Sequence, residues 1–305
     1  MSHTPLLQHA DPPAHVMAAV TAAFDQARHF VRSFAPDLIV NIGPDHYNGF
    51  FYDLMPPYCV GYRAHAVGDY GSYAGTLDVP DLVEDLAEFV IGRGIDLAVS
   101  RDMRIDHGAV QPLEILLDPG PAALPVIPVF VNSVAKPLVS MARVRQLGEA
   151  IGQFFRGRAE RVLFIGSGGL SHDPPVPRYA TATDPQRDFL IHGRNPTPEA
   201  RAARERRTIE TARRFAAGTA DIMELNPEWD RDFLAVCRAG RVEAFDEYDT
   251  EDMEAVAGHS AHEIRTWVTA YSALRECGDY QVTYEFYRPI KEFIAGFAVT
   301  TAVVD

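Results

Sequence analysis

Up to Gly166, the chain alternates helix-length amphipathic stretches with short runs of consecutive apolar residues. Apolar residues at helical spacing predict helices over residues 14–33, 80–93 and 138–156. The apolar runs predict strands over residues 37–43, 95–100, 124–131 and 161–166. Prolines in the third of these runs favour an edge position in the sheet, since proline cannot donate a backbone hydrogen bond. Such alternation leads to a largely parallel sheet, because each helix returns the chain to the start of the next strand.

In the second half, helical patterns follow one another with few strands between them. They predict helices over residues 200–217, 228–239 and 261–276, and strands over residues 280–287 and 296–304. We find no break in composition, no internal repeat and no low-complexity segment, so residues 1–305 are predicted to form a single domain. The fold class expected is α/β: three layers, α/β/α, with a mixed, largely parallel sheet and a helical C-terminal half packed over the active-site end.

The charge of the chain argues against two classes of partner. Acidic residues number 42 and Lys plus Arg 28, which gives a formal net charge of −14 at pH 7. Nucleic acids and anionic membranes require a basic surface, so neither is expected as a partner. An anionic small molecule would instead require a local positive pocket.

Cysteine usage and hydropathy indicate a cytoplasmic protein. The three cysteines, Cys59, Cys237 and Cys277, are odd in number and widely spaced, so a disulfide framework is not expected. No apolar run approaches the roughly 18 residues of a membrane span. The N-terminal residues do not have the pattern of a signal peptide.

Several histidines follow predicted strands, in loops rich in Gly, Pro, Ser or Asp. These are His46, His107 and His172, and His3 lies in a similar Ser-His-Thr-Pro context. Loops after strands are where α/β enzymes hold catalytic groups. Imidazoles converging with a carboxylate would suit iron(II), zinc or manganese.

Each of these residues also has a structural interpretation when taken alone. A single His at a strand end is commonly a hydrogen-bonded loop residue, and a Glu such as Glu263 near a helix start commonly interacts with the helix dipole. Four carboxylates beside the loops could orient histidines: Asp45, Asp106, Glu114 and Asp173. The segment 166–169 (GSGG) is a weak phosphate-binding pattern, and a tight turn with close backbone approach explains it equally well.

Four segments, taken together, resemble the class III extradiol dioxygenases, the protocatechuate 4,5-dioxygenase beta-subunit superfamily. They occur in order as 44–53 (PDHYNGFFYD), 106–108 (DHG), 166–172 (GSGGLSH) and 287–290 (YRPI). The resemblance extends over nearly the whole chain. It implies iron(II) held by His3, His46 and Glu263, with His107 and His172 as the catalytic histidines. It also implies a catechol and O2 as substrates, and a homo-oligomer, commonly a tetramer.

The implied reaction opens the aromatic ring of a catechol next to its two hydroxyls. The motifs are most similar to those of members that act on 2,3-dihydroxyphenylpropionate, with 2,3-dihydroxycinnamate a further candidate, giving a ring-opened 2-hydroxy-6-oxo-dienedioate. His172 is the candidate base for a catechol proton and His107 the candidate acid. The substrate's carboxylate requires an Arg or Lys; Arg288 is one candidate, and a structural ion pair is an equal alternative for it.

Three other functions fit the same residues. One is a dioxygenase of the same fold for another substituted catechol. Another is a zinc-dependent hydrolase that uses the same His/Glu cluster and a metal-bound water. The last is a relative that kept the fold and lost catalysis.

The N-terminus departs from the family pattern. Members of the family usually carry several apolar residues before the Ser-His-x-Pro motif, whereas here Met1 directly precedes Ser2. Without a preceding strand, His3 is expected to lie on a frayed terminus.

Overall fold

The structure, a computed structural model, describes residues 1–304. Its strands are β1 Leu38–Gly43, β2 Tyr58–Gly61, β3 Ala64–Val67, β4 Ala74–Thr76, β5 Leu97–Ser100, β6 Met103–Ile105, β7 Val126–Val131, β8 Val162–Gly166, β9 Tyr280–Ile290 and β10 Ala295–Val304. Its α-helices are α1 Ala14–Phe34, α2 Leu82–Gly92, α3 His107–Leu116, α4 Met141–Phe155, α5 Asp184–His192, α6 Pro198–Ala216, α7 Pro227–Ala239, α8 Thr250–Ala257 and α9 Ile264–Cys277.

Five strands form the central sheet, in the order β5-β2-β7-β1-β8. Three of its pairings are parallel, β1 with β7, β1 with β8 and β2 with β5. The pairing of β2 with β7 is antiparallel. The expectation of a mixed, largely parallel sheet is therefore confirmed.

Successive residues of β1 point to opposite faces of this sheet, and each face has its own apolar core. Leu38, Val40 and Ile42 pack on one side with residues of α2, α4, α7 and α9. Ile39 packs on the other side with residues of α1, α3, α6 and β10. Alternation along a strand buried on both faces divides the core in this way. The result is the predicted three-layer α/β/α arrangement.

Two smaller sheets complete the fold. The order in one is β4-β3-β6, and the other is the long antiparallel pair of β9 and β10. Helices α5 and α6 supply Phe189, Arg204 and Thr208 to a cavity at the carboxyl ends of β1 and β8. This part of the C-terminal half thus covers the end of the sheet where a ligand is expected.

Two local expectations are wrong. Strand β7 lies in the centre of the sheet, not at an edge. Its Pro128 is tolerated there because only the stretch Val129–Val131 pairs with β2. His107 does not follow the strand that ends at Ser100; it is the first residue of α3, after the short strand β6.

The N-terminal segment is anchored, which corrects the expectation of a frayed terminus. The Met1 amine donates to the Gly166 carbonyl at 2.7 Å, and the Ser2 amide donates to Ala298 O at 2.7 Å. Residues 1–4 are all buried. His3 therefore has a fixed position beside the end of β8.

In the described part of the chain, none of the helices has the length and hydropathy of a membrane span.

Candidate metal centre

Five side chains far apart in the sequence meet at the carboxyl ends of β1 and β8. His46 follows β1 and His172 follows β8, and these two strands are parallel neighbours. His107 begins α3, and Glu263 ends the 3-10 turn His259–Glu263 just before α9. Together with His3, these are the five residues that the sequence singled out. Parallel strands that end at one edge of a sheet bring their following loops together, which explains why His46 and His172 meet.

Glu263 is the hub of this cluster. Its carboxylate lies 3.0 Å from His46 Nε2, 3.2 Å from His172 Nε2 and 3.6 Å from His3 Nε2. It also accepts a hydrogen bond from the Gly169 amide at 2.9 Å. The side chain is 2% exposed, and within residues 1–304 none of its ion-pair partners is a Lys or Arg. A buried carboxylate requires compensation, and here imidazoles provide it.

The four histidines share one orientation. In each, Nδ1 faces a fixed acceptor: Ser167 Oγ for His3 (3.0 Å), Asp106 Oδ2 for His46 (3.1 Å), Asp69 Oδ2 for His107 (2.5 Å) and Leu170 O for His172 (2.8 Å). Carboxylates and carbonyls only accept, so Nδ1 carries a proton in the last three. The Ser167 hydroxyl donates to Gly108 O, so it too accepts from His3. In each neutral ring, this leaves the lone pair on Nε2.

Asp69 and Asp106 hold two of these rings in place. Both are fully buried. Asp106 caps α3 through the Gly108 amide (2.9 Å) and accepts from the His46 amide (2.8 Å) as well as from the His46 ring. Asp69 accepts from the His107 amide (2.9 Å) and from its ring. The sequence pointed to Asp106 because it adjoins His107, whereas Asp69 lies in a Gly-Asp-Tyr-Gly loop that carried no signal.

The electrostatics of the cluster follow from burial and from Glu263. Burial lowers the pKa of His3 to about 3, so this ring is neutral. Burial also disfavours charge on His46 and His172, but Asp106 and Glu263 raise the pKa of His46 well above its usual value, and Glu263 raises the pKa of His172. Burial would raise the pKa of Glu263, yet the facing imidazoles hold it well below its usual value. Without a bound cation, Glu263 and the rings of His46 and His172 thus favour each other's charged forms.

The glycine-rich segment after β8 permits close packing of α9. A Cβ on Gly166 would lie 2.6 Å from Thr266 O, and a Cβ on Gly168 would lie 2.6 Å from Glu263 O. Side chains at these positions would push the start of α9 away from the sheet. The close-approach interpretation of this segment is therefore confirmed, and the glycines set the position of Glu263.

The cluster opens into a cavity of about 80 Å³. Its walls are aromatic, prolyl, aliphatic and a few neutral polar side chains, together with the four histidines, Glu263 and Arg204. Arg288, the sequence candidate for binding a carboxylate, does not line this cavity. A larger cavity of about 390 Å³ lies between α1, β8, α9 and β10, but its lining is mainly apolar and contains none of the five residues.

The side chains present fit a divalent transition metal. The nitrogens of His3, His46 and His107 lie within 4.8 Å of one another, and Glu263 lies against the first two. Imidazole and carboxylate donors suit iron, zinc and manganese. Ligating histidines typically donate their second ring N–H to a carboxylate, a carbonyl or another acceptor, which is the arrangement found here. On distance alone, His107 competes with Glu263 for the third position.

Comparison with known proteins decides the family. Residues 1–303 match the family described as the catalytic LigB subunit of aromatic ring-opening dioxygenase. The chain belongs to this family.

Two relatives carry the name 2,3-dihydroxyphenylpropionate/2,3-dihydroxicinnamic acid 1,2-dioxygenase. The protein from Rhodococcus rhodochrous is 68% identical over 99% of this chain and 96% of its own length. The protein from Rhodococcus globerulus is 66% identical over 100% of this chain and 97% of its own length. The expectation of an extradiol dioxygenase is confirmed, and membership of this family implies a metal cofactor.

Proposed function

We propose that this protein is an iron(II)-dependent dioxygenase that cleaves 2,3-dihydroxyphenylpropionate, and 2,3-dihydroxycinnamate, next to the catechol hydroxyls. The product is a ring-opened 2-hydroxy-6-oxo-dienedioate, and the reaction belongs to the catabolism of aromatic compounds. The names of the two Rhodococcus relatives support the substrate. The observation that carries the proposal is the convergence of four Nε2 atoms and one buried carboxylate on a single small cavity.

In this proposal His3, His46 and Glu263 hold the metal. Two imidazoles and one carboxylate leave open positions for other ligands, as in non-haem iron oxygenases. Bound there, iron(II) would supply coordination for the catechol oxygens and for O2 and pass electron density between them. The fixed Nδ1–H bonds of His3 and His46 favour this role, since they keep both Nε2 lone pairs directed at one point.

His172 and His107 move protons. A catechol must lose protons to chelate, and His172 Nε2 is the base that accepts one. Its Nδ1–H bond to Leu170 O keeps Nε2 directed into the cavity. A cation held by Glu263 would oppose the effect of this carboxylate on His172 and favour the neutral ring, which is the form that accepts a proton. His107, backed by Asp69, is the acid: its Nε2 takes up a second catechol proton and returns it during ring opening.

We further propose a cytoplasmic homotetramer in which residues 1–305 form one catalytic domain. The family match over residues 1–303 supports a single domain. Residue 305, the last of the predicted domain, lies outside the described residues.

The test is anaerobic reconstitution with iron(II), followed by 2,3-dihydroxyphenylpropionate and air. We expect a yellow product and one O2 consumed per catechol. Parallel reactions with other substituted catechols test the alternative substrates. Zinc-loaded protein that hydrolyses an ester or amide without O2 would indicate the hydrolase instead. Iron-loaded protein that consumes no O2 with any catechol would contradict the proposal and favour a non-catalytic relative.

A further inference from the structure

We infer that Arg204 is the residue that determines preference for a carboxylate-bearing catechol, by binding the carboxylate at the end of the substrate's side chain. This inference rests on the proposed function. Arg204 takes the place of the sequence candidate Arg288, which lies on β9 outside the cavity.

Arg204 is placed where the side chain of a bound catechol would extend. It projects from α6 into the wall of the cavity that contains His46, His107 and His172. Among the described residues that line this cavity, it is the single Lys or Arg. The chain as a whole has a net charge of −14, so an anionic substrate needs a local cation, and only Arg204 supplies a permanent one here.

The charge of Arg204 has no carboxylate partner in residues 1–304. Its Nη1 donates to Tyr47 O at 3.0 Å and its Nη2 donates to the side-chain oxygen of Asn48. Both acceptors are neutral. The neighbouring Glu205 accepts instead from the Tyr70 amide at 2.9 Å. By contrast, Arg194 and Arg145 pair with acidic side chains on the surface.

The guanidinium is also held in a defined orientation. Its centre lies 5.3 Å from the centroid of the Phe189 ring, and the two bonds to Tyr47 and Asn48 fix the other side. A guanidinium has five N–H donors, so donors remain for a ligand. An oriented guanidinium with unused donors and an uncompensated charge suits a carboxylate, which it can bind with paired, charge-assisted hydrogen bonds.

The same contacts connect Arg204 to the ring-binding end of the cavity. Asn48 donates to Asp106 Oδ2 at 2.9 Å, and this oxygen also accepts from the His46 ring. The carboxylate and the catechol hydroxyls would therefore be positioned from one connected framework. Phe189, Val176 and Phe293 line the same cavity and provide apolar surface for the methylene groups between the two ends.

A purely structural role is the competing explanation. Tyr47 has a left-handed backbone, with φ of 57°, and Arg204 binds its carbonyl. Loss of Arg204 could disturb the loop after β1 and with it His46. Such a disturbance would affect all catechols alike, whereas loss of a carboxylate contact would affect only the substrates that carry one.

The experiment compares Arg204→Gln with wild type on two substrates, using iron-loaded protein and O2 uptake. One substrate is 2,3-dihydroxyphenylpropionate and the other is 3-propylcatechol, in which a methyl group replaces the carboxylate. Because loss of Arg204 removes charge-assisted hydrogen bonds to the carboxylate, we expect the ratio of the two kcat/KM values to fall about 10- to 100-fold, mainly through KM. Arg204→Lys should restore part of the ratio. The matched control, Arg288→Gln, should leave it unchanged.

The outcomes separate this inference from the proposed function. Equal losses on both substrates in Arg204→Gln, or a wild type with no preference for the carboxylate, would overturn the role of Arg204 while the dioxygenase stands. A wild type inactive on both substrates would contradict the dioxygenase itself. If wild type is inactive, or if Arg204→Gln does not fold, binding can be measured without turnover. Calorimetry then gives the affinity of each catechol for anaerobic, iron-loaded wild type and for Arg204→Lys, and the ratio of the two affinities is compared between the proteins.

Discussion

At the scale of single residues, the site depends on fixed tautomers. Each of four histidines donates Nδ1–H to an acceptor on a fully buried residue, so every ring presents Nε2 to the same point. The two histidines proposed to bind metal, His3 and His46, have the same orientation as the two proposed to transfer protons, His107 and His172. Their surroundings differ: Glu263 contacts the rings of His3, His46 and His172 directly, and Asp69 supports His107 from behind.

Replacing a proton-transfer histidine should lower turnover without removing the metal. For His172→Gln and His107→Gln we expect kcat to fall by roughly 10²–10⁴-fold, the usual contribution of general acid–base catalysis. Iron content after reconstitution should match wild type. His192→Gln, at the exposed end of α5, is the matched control. Loss of iron from the His107 variant would assign that ring to the metal in place of Glu263.

In the metal-free protein, the pairing of Glu263 with its histidines is expected to stabilise the fold most within a limited range of pH. The pKa of Glu263 is depressed in the fold, so its stabilising effect is present above its usual value of 4.5 and is lost as pH falls. The pKa of His172 is raised, so its effect is present below 6.5 and is lost as pH rises through the folded value. Glu263→Gln should thus lower the free energy of unfolding most between these values, by about 1–3 kcal/mol.

Urea unfolding of chelator-treated wild type and Glu263→Gln, at pH values inside, below and above this window, measures the difference. The difference in free energy of unfolding should be largest inside this pH range and smaller at pH values below and above it. A difference independent of pH would show that the carboxylate acts through packing and not through its charge.

At the scale of elements, the glycines after β8 allow α9 to bring Glu263 to the histidines. Gly168→Ala places a methyl group 2.6 Å from Glu263 O, so the start of α9 must move. We expect a loss of about 1–3 kcal/mol in the free energy of unfolding, as for other overpacked sites, together with weaker iron binding. Thermal or urea unfolding and iron titration measure the two effects.

Gly92→Ala is the control for that variant. Gly92 is the last residue of α2, and a Cβ there meets no atom within 4 Å. Alanine in a helix should leave stability unchanged or raise it by up to about 1 kcal/mol. If Gly168→Ala behaves like Gly92→Ala, then the close approach of α9 does not fix Glu263.

Sequence patterns predicted the elements whose periodicity is strong and local. Helices α1, α4 and α9 and strands β1 and β8 lie within a few residues of their predicted bounds. Strand β2 and the three-stranded sheet were missed, because their runs are three or four residues long and lack a periodic signal. The central position of β7 depends on which strand pairs with it, and a single run cannot specify that.

Prediction of the site residues from sequence is limited in the same way, because local patterns do not report tertiary contacts. His46 and His172 were predictable, because each follows a strongly apolar strand. Asp69 and Arg204 were not, since their importance comes only from tertiary contacts. Residues 201–207 (RAARERR) contain four arginines, and nothing in their order distinguishes Arg204. Only the packing of α6 over the cavity selects it.

At the scale of the whole molecule, the proposed tetramer gives a direct prediction. Size-exclusion chromatography with light scattering should give four times the 33.7 kDa of one chain. Because the net charge of each chain is −14, self-repulsion between subunits is screened by salt, so the assembly should be favoured as ionic strength rises. A single species of 33.7 kDa at all salt concentrations would contradict the tetramer.

The wide separation of the site residues along the chain has a consequence for biosynthesis. The cluster runs from His3 to Glu263, so a growing polypeptide cannot assemble it until residue 263 has been synthesised. In the proposed site, a metal would therefore be retained only once the chain has folded through Glu263. A truncated or proteolytically clipped product that lacks α9 and its preceding turn would fail to retain the metal, which would make iron content a measure of chain integrity in any preparation.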